Sequence, residues 1–350
     1  MFYELDKKDY YKVESLIKNS HHELSIKALI RGISPGEIFV DNCEKPLSTL
    51  IMTSECSVVA GNAGNKLFNA GVRDKLDFYD QLICDDHEWE DRISELHSNV
   101  ALRKYTRRYY ELEKLKFTDY MNYLDPKFPL EHVSVSNLNA LNFENSDKIR
   151  DWIKLEDTSK FSDYCLGSYI RLDNKIVTMS LVDCIVDNRI EIGVKTEKEY
   201  RAKGLGAITA AATVHVSLSK GIERIGWHCV DTNIGSIKIA EKLGFKLIKK
   251  YCSFTPYPPI ENDTDLSKEQ WGEWATYYTE MNKIQPYYYW QAAECWAKAS
   301  NIEQTIENIM KLIEAGQMWF IKYLRDVDTF KAFEGNKEWQ KLLNLVYGKE

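Results

Sequence analysis

The sequence predicts an α+β chain: a mixed, mostly antiparallel sheet flanked by helices, preceded by an amino-terminal α/β half and followed by an all-helical carboxy-terminal segment. Three observations predict this class. Short alternating apolar runs and two amphipathic helical patterns interleave between residues 130 and 255. Two proline-bearing breaks, YLDPKFPLEH at 123 to 132 and TPYPPIENDTDLSKEQ at 255 to 270, isolate that stretch. Beyond the second break the apolar residues recur only at helical spacing. A chain of 350 residues also exceeds one average domain, for which ~100 to 200 residues is usual. The expected domains are therefore 1–125, 130–255 and 269–350.

The first segment opens with two helical patterns and continues with the short strands GEIFVD, LSTLIM and CSVVAG, separated by Pro46 and polar turns. After Gly61 it reads as helical and charged, and no chemistry stands out in it. The basic residues Arg103, Lys104, Arg107 and Arg108 sit beside Glu111 and Glu113 and read as a solvated face.

In the middle segment HVSVSNL alternates as a strand, and NSDKIRDWIKLE is an amphipathic helix with Ser146 as its cap. LGSYIRL and KIVTMSLVDCIV flank Asp173 and Asn174, a pair that tolerates the positive φ of a hairpin turn. NRIEIGV follows as a third antiparallel strand, with Ile190, Ile192 and Val194 on one face and Glu191 and Gly193 on the other. A helix then runs from about Gly204 to Lys220, RIGWHCV is a strand, and DTNIGSIKIAEKLGF is a helix that Gly244 stops. FKLIKKYCSF is the last strand. In the third segment Trp271, Trp274, Tyr278 and Met281 recur at helical spacing, as do Tyr289, Ala292, Ala293 and Trp296, then Ile302, Ile306, Ile309 and Ile313. Such stripes are core-forming.

Composition excludes several function classes. A net charge of −7 argues against nucleic acid and anionic membranes as partners, since either needs a basic stripe to displace counterions. No secretory leader and no membrane-spanning apolar run is visible, so a cytoplasmic protein is expected. The eight cysteines contain no CxxC spacing and read as reduced, buried thiols. The histidines show no metal-ligand spacing, so no metal is expected; the adjacent His21 and His22 are expected at the surface.

The stretch EYRAKGLGA at 199 to 207 carries the function. A Rossmann fingerprint fails because Thr209 occupies the third glycine position, and a P-loop fails because Ala207 follows Gly206. What remains is RxxGxG after a strand and at the start of a helix. Absent side chains at Gly204 and Gly206 let a pyrophosphate approach the free N–H groups of that helix start, and Arg201 adds a fixed cation.

The order strand, helix, three strands, RxxGxG helix, strand, NxxS helix ending in LGF and final strand resembles the GNAT superfamily of acyl-CoA-dependent N-acyltransferases over residues 130 to 255. Its motifs here are EIGVKTEKEYRAKGLG and WHCVDTNIGSIKIAEKLGF. Within that superfamily the chain is similar to the zwittermicin A resistance acetyltransferases, to which GEIFVDNCEKP in the first segment is also similar; that half is expected to be a degenerate GNAT-like unit. The resemblance implies acetyl-CoA as cofactor. It implies that Arg201, Ala202, Lys203, Gly204, Leu205, Gly206 and Ala207 hold the pyrophosphate. It implies that Ile192, Gly193 and Val194 pair with the pantetheine arm, and that Asn233, with Ser236 of the same NxxS stretch, bonds that arm. Asn233 also reads as a simple helix N-cap.

An alkyl ammonium has a pKa of ~10.4, so it must lose a proton before it attacks a thioester. In the family a carboxylate on the strand before the glycine loop, acting through water, is a common base. Glu191 matches it, and His228 is its competitor. Many members carry a general-acid tyrosine seven residues after the helix-opening asparagine, where this chain has Ala240; Tyr169, Tyr200 and Tyr251 are the possible substitutes. The third segment resembles a tetratricopeptide-like hairpin, and one repeat needs a cover, so it is expected to pack on the acyltransferase domain or on a second subunit in a homo-oligomer. The expected function is acetyl transfer from acetyl-CoA to a primary amine of a small molecule, by direct attack in a ternary complex. A second reading is a CoA-binding interaction protein whose helical tail recruits a partner.

Overall fold

The computed structural model describes residues 1–17, 20–77, 80–84, 87–96, 100–156, 161, 164–260 and 263–348. They form two compact units: Met1–Leu96 with Lys104–Phe254, and a short stretch ending at Arg103 together with the chain from Thr255 onward. Residues on both sides of the 123 to 132 break therefore belong to the first unit.

The amino-terminal part supplies β1 (Tyr3–Glu4), α1 (Glu23–Ile30), β2 (Gly36–Val40), β3 (Ser48–Thr53), β4 (Ser57–Gly61), α2 (Lys66–Lys75), β5 (Leu82–Cys84), α3 (His87–Leu96) and β6 (Arg103–Leu112). The middle part supplies β7 (Leu130–Val133), α4 (Val135–Leu138), α5 (Ser146–Trp152), β8 (Gly167–Leu172), β9 (Lys175–Val186), β10 (Arg189–Thr196), α6 (Leu205–Ser219), β11 (Arg224–Val230), α7 (Ile234–Leu243) and β12 (Phe245–Thr255). The hairpin expected at Asp173-Asn174 joins β8 to β9, with Asp173 at φ 51°, and Asp187-Asn188 repeats the device between β9 and β10, with Asp187 at φ 53°.

Among the described residues the strands join one 12-stranded sheet in the order β1-β2-β3-β4-β5-β12-β6-β11-β10-β9-β8-β7. The order shows an exchange at the centre. β12, the last strand of the middle part, lies against β5 of the amino-terminal part, pairing Ser253 with Ile83. β6, from the amino-terminal part, lies antiparallel to β11 and pairs Tyr109 with His228. The run containing Arg107 and Arg108 is thus a half-buried interior strand. The expectation of a solvated charged face is corrected, because the strand is interior to the sheet, with Tyr110 buried in the core on one face and Tyr109 packed against apolar residues on the other.

Helix α6 packs on β8, β9 and β10, while α1 and α5 pack on β9. Most of α6 is buried, including Ala210, Ala211, Ala212 and Val214 at 0 % exposure, which is why its sequence is apolar all round rather than amphipathic. Thr209 and Thr213 stay satisfied inside by donating to Leu205 O and to Ser180 O.

The second unit holds α8 (Lys268–Met281), α9 (Tyr288–Lys298), α10 (Ile302–Glu314), α11 (Met318–Ile321), α12 (Asp328–Lys331) and α13 (Lys337–Tyr347). Ser267 starts α8 with a capping box. Trp290, Ile309, Leu312, Phe330 and Trp339 form the core of this unit, so the stripe containing Ile309 is core-forming.

Candidate active site

Two features meet in the first unit, a glycine loop and a parting of strands. The loop follows β10. Ala202 and Gly204 take positive φ, 59° and 80°, which turns successive backbone N–H groups toward one side. Arg201 is pinned by its Nε donating to Thr196 O at 2.9 Å. A Cβ on Gly204 would meet nothing within 4 Å, so the helix start lies open. Gly206 differs, since a Cβ there would stand 3.0 Å from Thr196 Oγ1 and 3.4 Å from Ile239 Cδ1. It is a glycine because α6 crosses close to β10 and α7. Lys203 lies over the Tyr200 ring, at 5.0 Å from the centroid. The residues present fit a pyrophosphate: an open cradle, positive φ at two positions, N–H groups without intrahelical acceptors and a fixed guanidinium.

The parting lies beside it. β10 and β11 run parallel and pair at Arg189–Arg224, Ile190–Ile225 and Glu191–Gly226, and among the described residues their pairing goes no further. Ile192 to Thr196 continue along β9, and Trp227 to Val230 continue along β6. The backbone edge of Ile192, Gly193 and Val194 opens into the gap that results.

Glu191 stands at the last paired position and is 4 % exposed. Its Oε2 accepts from the Cys184 thiol at 3.3 Å, and its Oε1 is 3.4 Å from His228 Nε2. The His228 ring is held between Tyr109, at 4.6 Å, and His22, at 4.8 Å between centroids. His228 Nδ1 meets Tyr251 Oη at 2.8 Å. The same phenol receives Arg107 Nε–H at 3.0 Å and faces His22 Nε2 at 3.0 Å. With two donors aimed at it, the phenol spends its own proton on His228 Nδ1. His228 then carries its proton on Nε2 and offers it to Glu191.

Burial opposes the ionised form of Glu191, but His228 and His22 beside it, with the hydrogen bonds from His228 and Cys184, hold its carboxyl below the ordinary value. Burial pushes the Cys184 thiol up, and the neighbouring Glu191, Glu55 and Asp183 carboxyl groups add to it, so it stays a donor. Burial also opposes a charge on His22, yet Cys56 and Glu55 outweigh it and its pKa is pushed up to about 9. The expectation that His22 sits at the surface is thereby corrected: it is 1 % exposed, at the start of α1, with Nδ1 3.4 Å from Glu55 Oε2. A carboxylate oxygen of Glu55, one of Glu191 and the Cys184 sulfur all lie within 4.8 Å of one another.

The other expected residues are placed as follows. Asn233 caps α7, its side-chain oxygen accepting from Ser236 N at 2.9 Å, and Ser236 Oγ accepts from Trp227 Nε1 at 2.9 Å. Ala240 is fully buried. Tyr251 belongs to the cluster around His228, whereas Tyr169 Oη donates to Glu131 at 2.5 Å and Tyr200 packs edge-on against Phe128. Sequence reasoning missed His22, Glu55, Arg107 and Tyr109. The period-two alternation from Tyr105 to Glu111 was the available signal for two of them.

This fold and site define an acyltransferase of the GNAT class. A family model described as GNAT acetyltransferase matches residues 14–254, and the chain belongs to that family. The match ends at Phe254, where the first unit ends. The chain is similar to the uncharacterized N-acetyltransferase YdfB of Bacillus subtilis (strain 168), 22% identical over 258 residues that cover 71% of this chain and 96% of the relative. Its fold is similar to that of the GCN5-related N-acetyltransferase-like protein from Streptococcus suis 89/1591, with a TM-score of 0.56 at 23% identity over 71% of this chain and 98% of that one. Among the described residues no helix is long and apolar enough to cross a membrane.

Proposed function

We propose that this protein moves an acetyl group from acetyl-CoA to a primary amine of a small molecule, by direct attack in a ternary complex, in the manner of the zwittermicin A resistance acetyltransferases. The observation that carries this reading is the buried Glu191–His228 pair at the place where β10 and β11 part, beside the glycine loop. Arg201 to Ala207 would hold the pyrophosphate, the edge from Ile192 to Val194 would pair with the pantetheine arm, and Asn233 and Ser236 would flank it at the start of α7. When bound, acetyl-CoA supplies the activated acetyl group.

Glu191 is the base. It is kept ionised by its two histidine neighbours and receives the proton that the attacking amine gives up. His228, bound through Nε2–H, orients the carboxylate and steadies its charge. The experiment is an amine panel of aminopolyols, aminoglycosides, polyamines and amino acids, followed by thiol release from acetyl-CoA. Glu191→Gln is expected to lower kcat by ~10²-fold or more, with partial recovery at high pH where the free amine needs no base. Wild-type rates in that variant at neutral pH would move the role to His228.

A further inference from the structure

The register of β9 against β10 slips by one residue. Glu191 pairs with Cys184 and Ile192 with Val182, so Asp183 is the extra residue of a β-bulge, the device by which a strand re-aims a side chain. The half-buried Asp183 side chain reaches the face that Glu191 and Gly193 share. Trp152 Nε1, from α5, donates to its Oδ1 at 2.5 Å. Its Oδ2 lies 3.3 Å from where a Cβ on Gly193 would stand. Asp183 therefore comes from the β9 side and lies over Gly193, the residue two on from Glu191 along β10, on the face away from α6; Val194, on the opposite face, is the residue that lies 3.5 Å from a Cβ on Gly206.

The charged groups around it act in two directions. Burial raises its carboxyl, and Glu55 from the β3–β4 turn and Glu191 from β10 add to this. The Trp152 hydrogen bond and Arg107 from β6 oppose it. The carboxyl stays well above the ordinary carboxylate range, while His228 and His22 hold Glu191 below that range. Cys184 remains a neutral thiol beside both. Two carboxyls pushed apart in this way mark an acid and a base.

We propose that Asp183 is the general acid of the transfer and gives its carboxyl proton to the departing sulfur. The assignment rests on the acetyl-transfer reading for the identity of the leaving group. The attacking species is the free amine, its ammonium proton already lost to solvent, and the bond between its nitrogen and the acetyl carbon forms as Glu191 takes one of the two protons that nitrogen still carries. The carbon–sulfur bond breaks with its electron pair on sulfur, and sulfur takes the proton of Asp183. Glu191 then returns its proton to the Asp183 carboxylate, so one proton has passed from nitrogen to sulfur and nothing is oxidised or reduced. Ala240, fully buried and without a proton to give, is consistent with an acid placed elsewhere.

Asp183→Asn is the test, because its side-chain oxygen still accepts from Trp152. In the protein without acetyl-CoA, infrared difference spectra of wild type against Asp183→Asn at neutral pH are expected to show one protonated carboxylic acid carbonyl band, absent from the variant. No such band would overturn the proposal. With acetyl-CoA and an accepted amine, wild-type kcat is expected to fall at high pH, and Asp183→Asn to lose that limb and ~10²-fold or more of kcat, with KM for acetyl-CoA held. A wild type that transfers acetyl alongside a variant of unchanged kcat overturns the acid alone. A wild type that transfers no acetyl to any amine overturns both readings.

Discussion

At the scale of the residue, the chemistry gathers around one phenol. Tyr251 Oη takes two donors, Arg107 Nε–H and His22 Nε2–H, and fixes the tautomer of His228 with its own proton. Tyr251→Phe leaves two buried donors facing a ring carbon, which is expected to cost ~1–3 kcal/mol of stability in denaturant melts, and it frees His228 to take the other tautomer. His22 carries a pH signature. Its folded pKa of about 9 lies above the ordinary value, which is ~6.5. A raised pKa means stability that is fully present below the unfolded value and lost as pH rises through the folded one. Wild-type stability is therefore expected to decline between about pH 6.5 and about pH 9, and His22→Gln to flatten that decline. An equal slope in the two proteins would show that His22 is uncharged in the fold. Glu191 and the glycine loop were legible in sequence because they sit in contiguous motifs. His22 was not, because a histidine beside another at a helix start carries no local mark of a partner 206 positions away, at His228.

At the scale of the element, three glycines separate binding from chemistry. Gly226 faces Glu191 across the last parallel pair, and a Cβ there would stand 2.8 Å from Glu191 Cγ and 3.1 Å from the Tyr109 ring. Gly226→Ala must displace a buried carboxylate, so kcat is expected to drop ~10-fold or more with little change in KM for acetyl-CoA. Gly206→Ala instead presses α6 off β10 at Thr196, and is expected to weaken acetyl-CoA binding while sparing the pH profile of kcat. Gly204→Ala meets no atom, yet at φ 80° it carries a left-handed strain of ~1–2 kcal/mol. Isothermal titration with acetyl-CoA and steady-state kinetics on the three variants check the division, and a Gly226→Ala protein that loses acetyl-CoA binding while keeping kcat would reverse it. The elements of residues 130 to 255 were legible because each has its own period and its own turn. β6 was not, since its alternating partners are tyrosines, arginines and a glutamate that local hydropathy reads as solvated. The β9 bulge was not either, because one extra residue in a strand leaves its alternation readable in both registers.

At the scale of the whole molecule, the order of the central strands was hidden from the sequence for a physical reason: strand pairing over such separations is decided by packing, and no local pattern encodes it. The breaks at 123 to 132 and 255 to 270 suggested separable domains. In the first unit, however, β12 lies between β5 and β6, and β6 lies between β12 and β11. A fragment of residues 1–125 would keep β5 and β6 but lose the strand that joins them. A fragment of residues 130–350 would keep β11 and β12 but lose β6 between them, leaving two open strand edges at the centre of the sheet. The second fragment would also lose the stretch whose Ala101 N–H is bonded to Tyr288 Oη at 2.8 Å and whose Leu102 O accepts from Tyr277 Oη at 2.6 Å. Neither fragment is expected to show a cooperative melt alone. Co-expressed, the two are expected to copurify and to regain both a cooperative melt and acetyl transfer, because cleavage between 125 and 130 removes no strand and no member of the Glu191 cluster. A fragment that melts cooperatively by itself would show that the exchange is dispensable for folding. Copurification without activity would show that the chain must be continuous for His22, Arg107 and Tyr109 to reach His228 in working register.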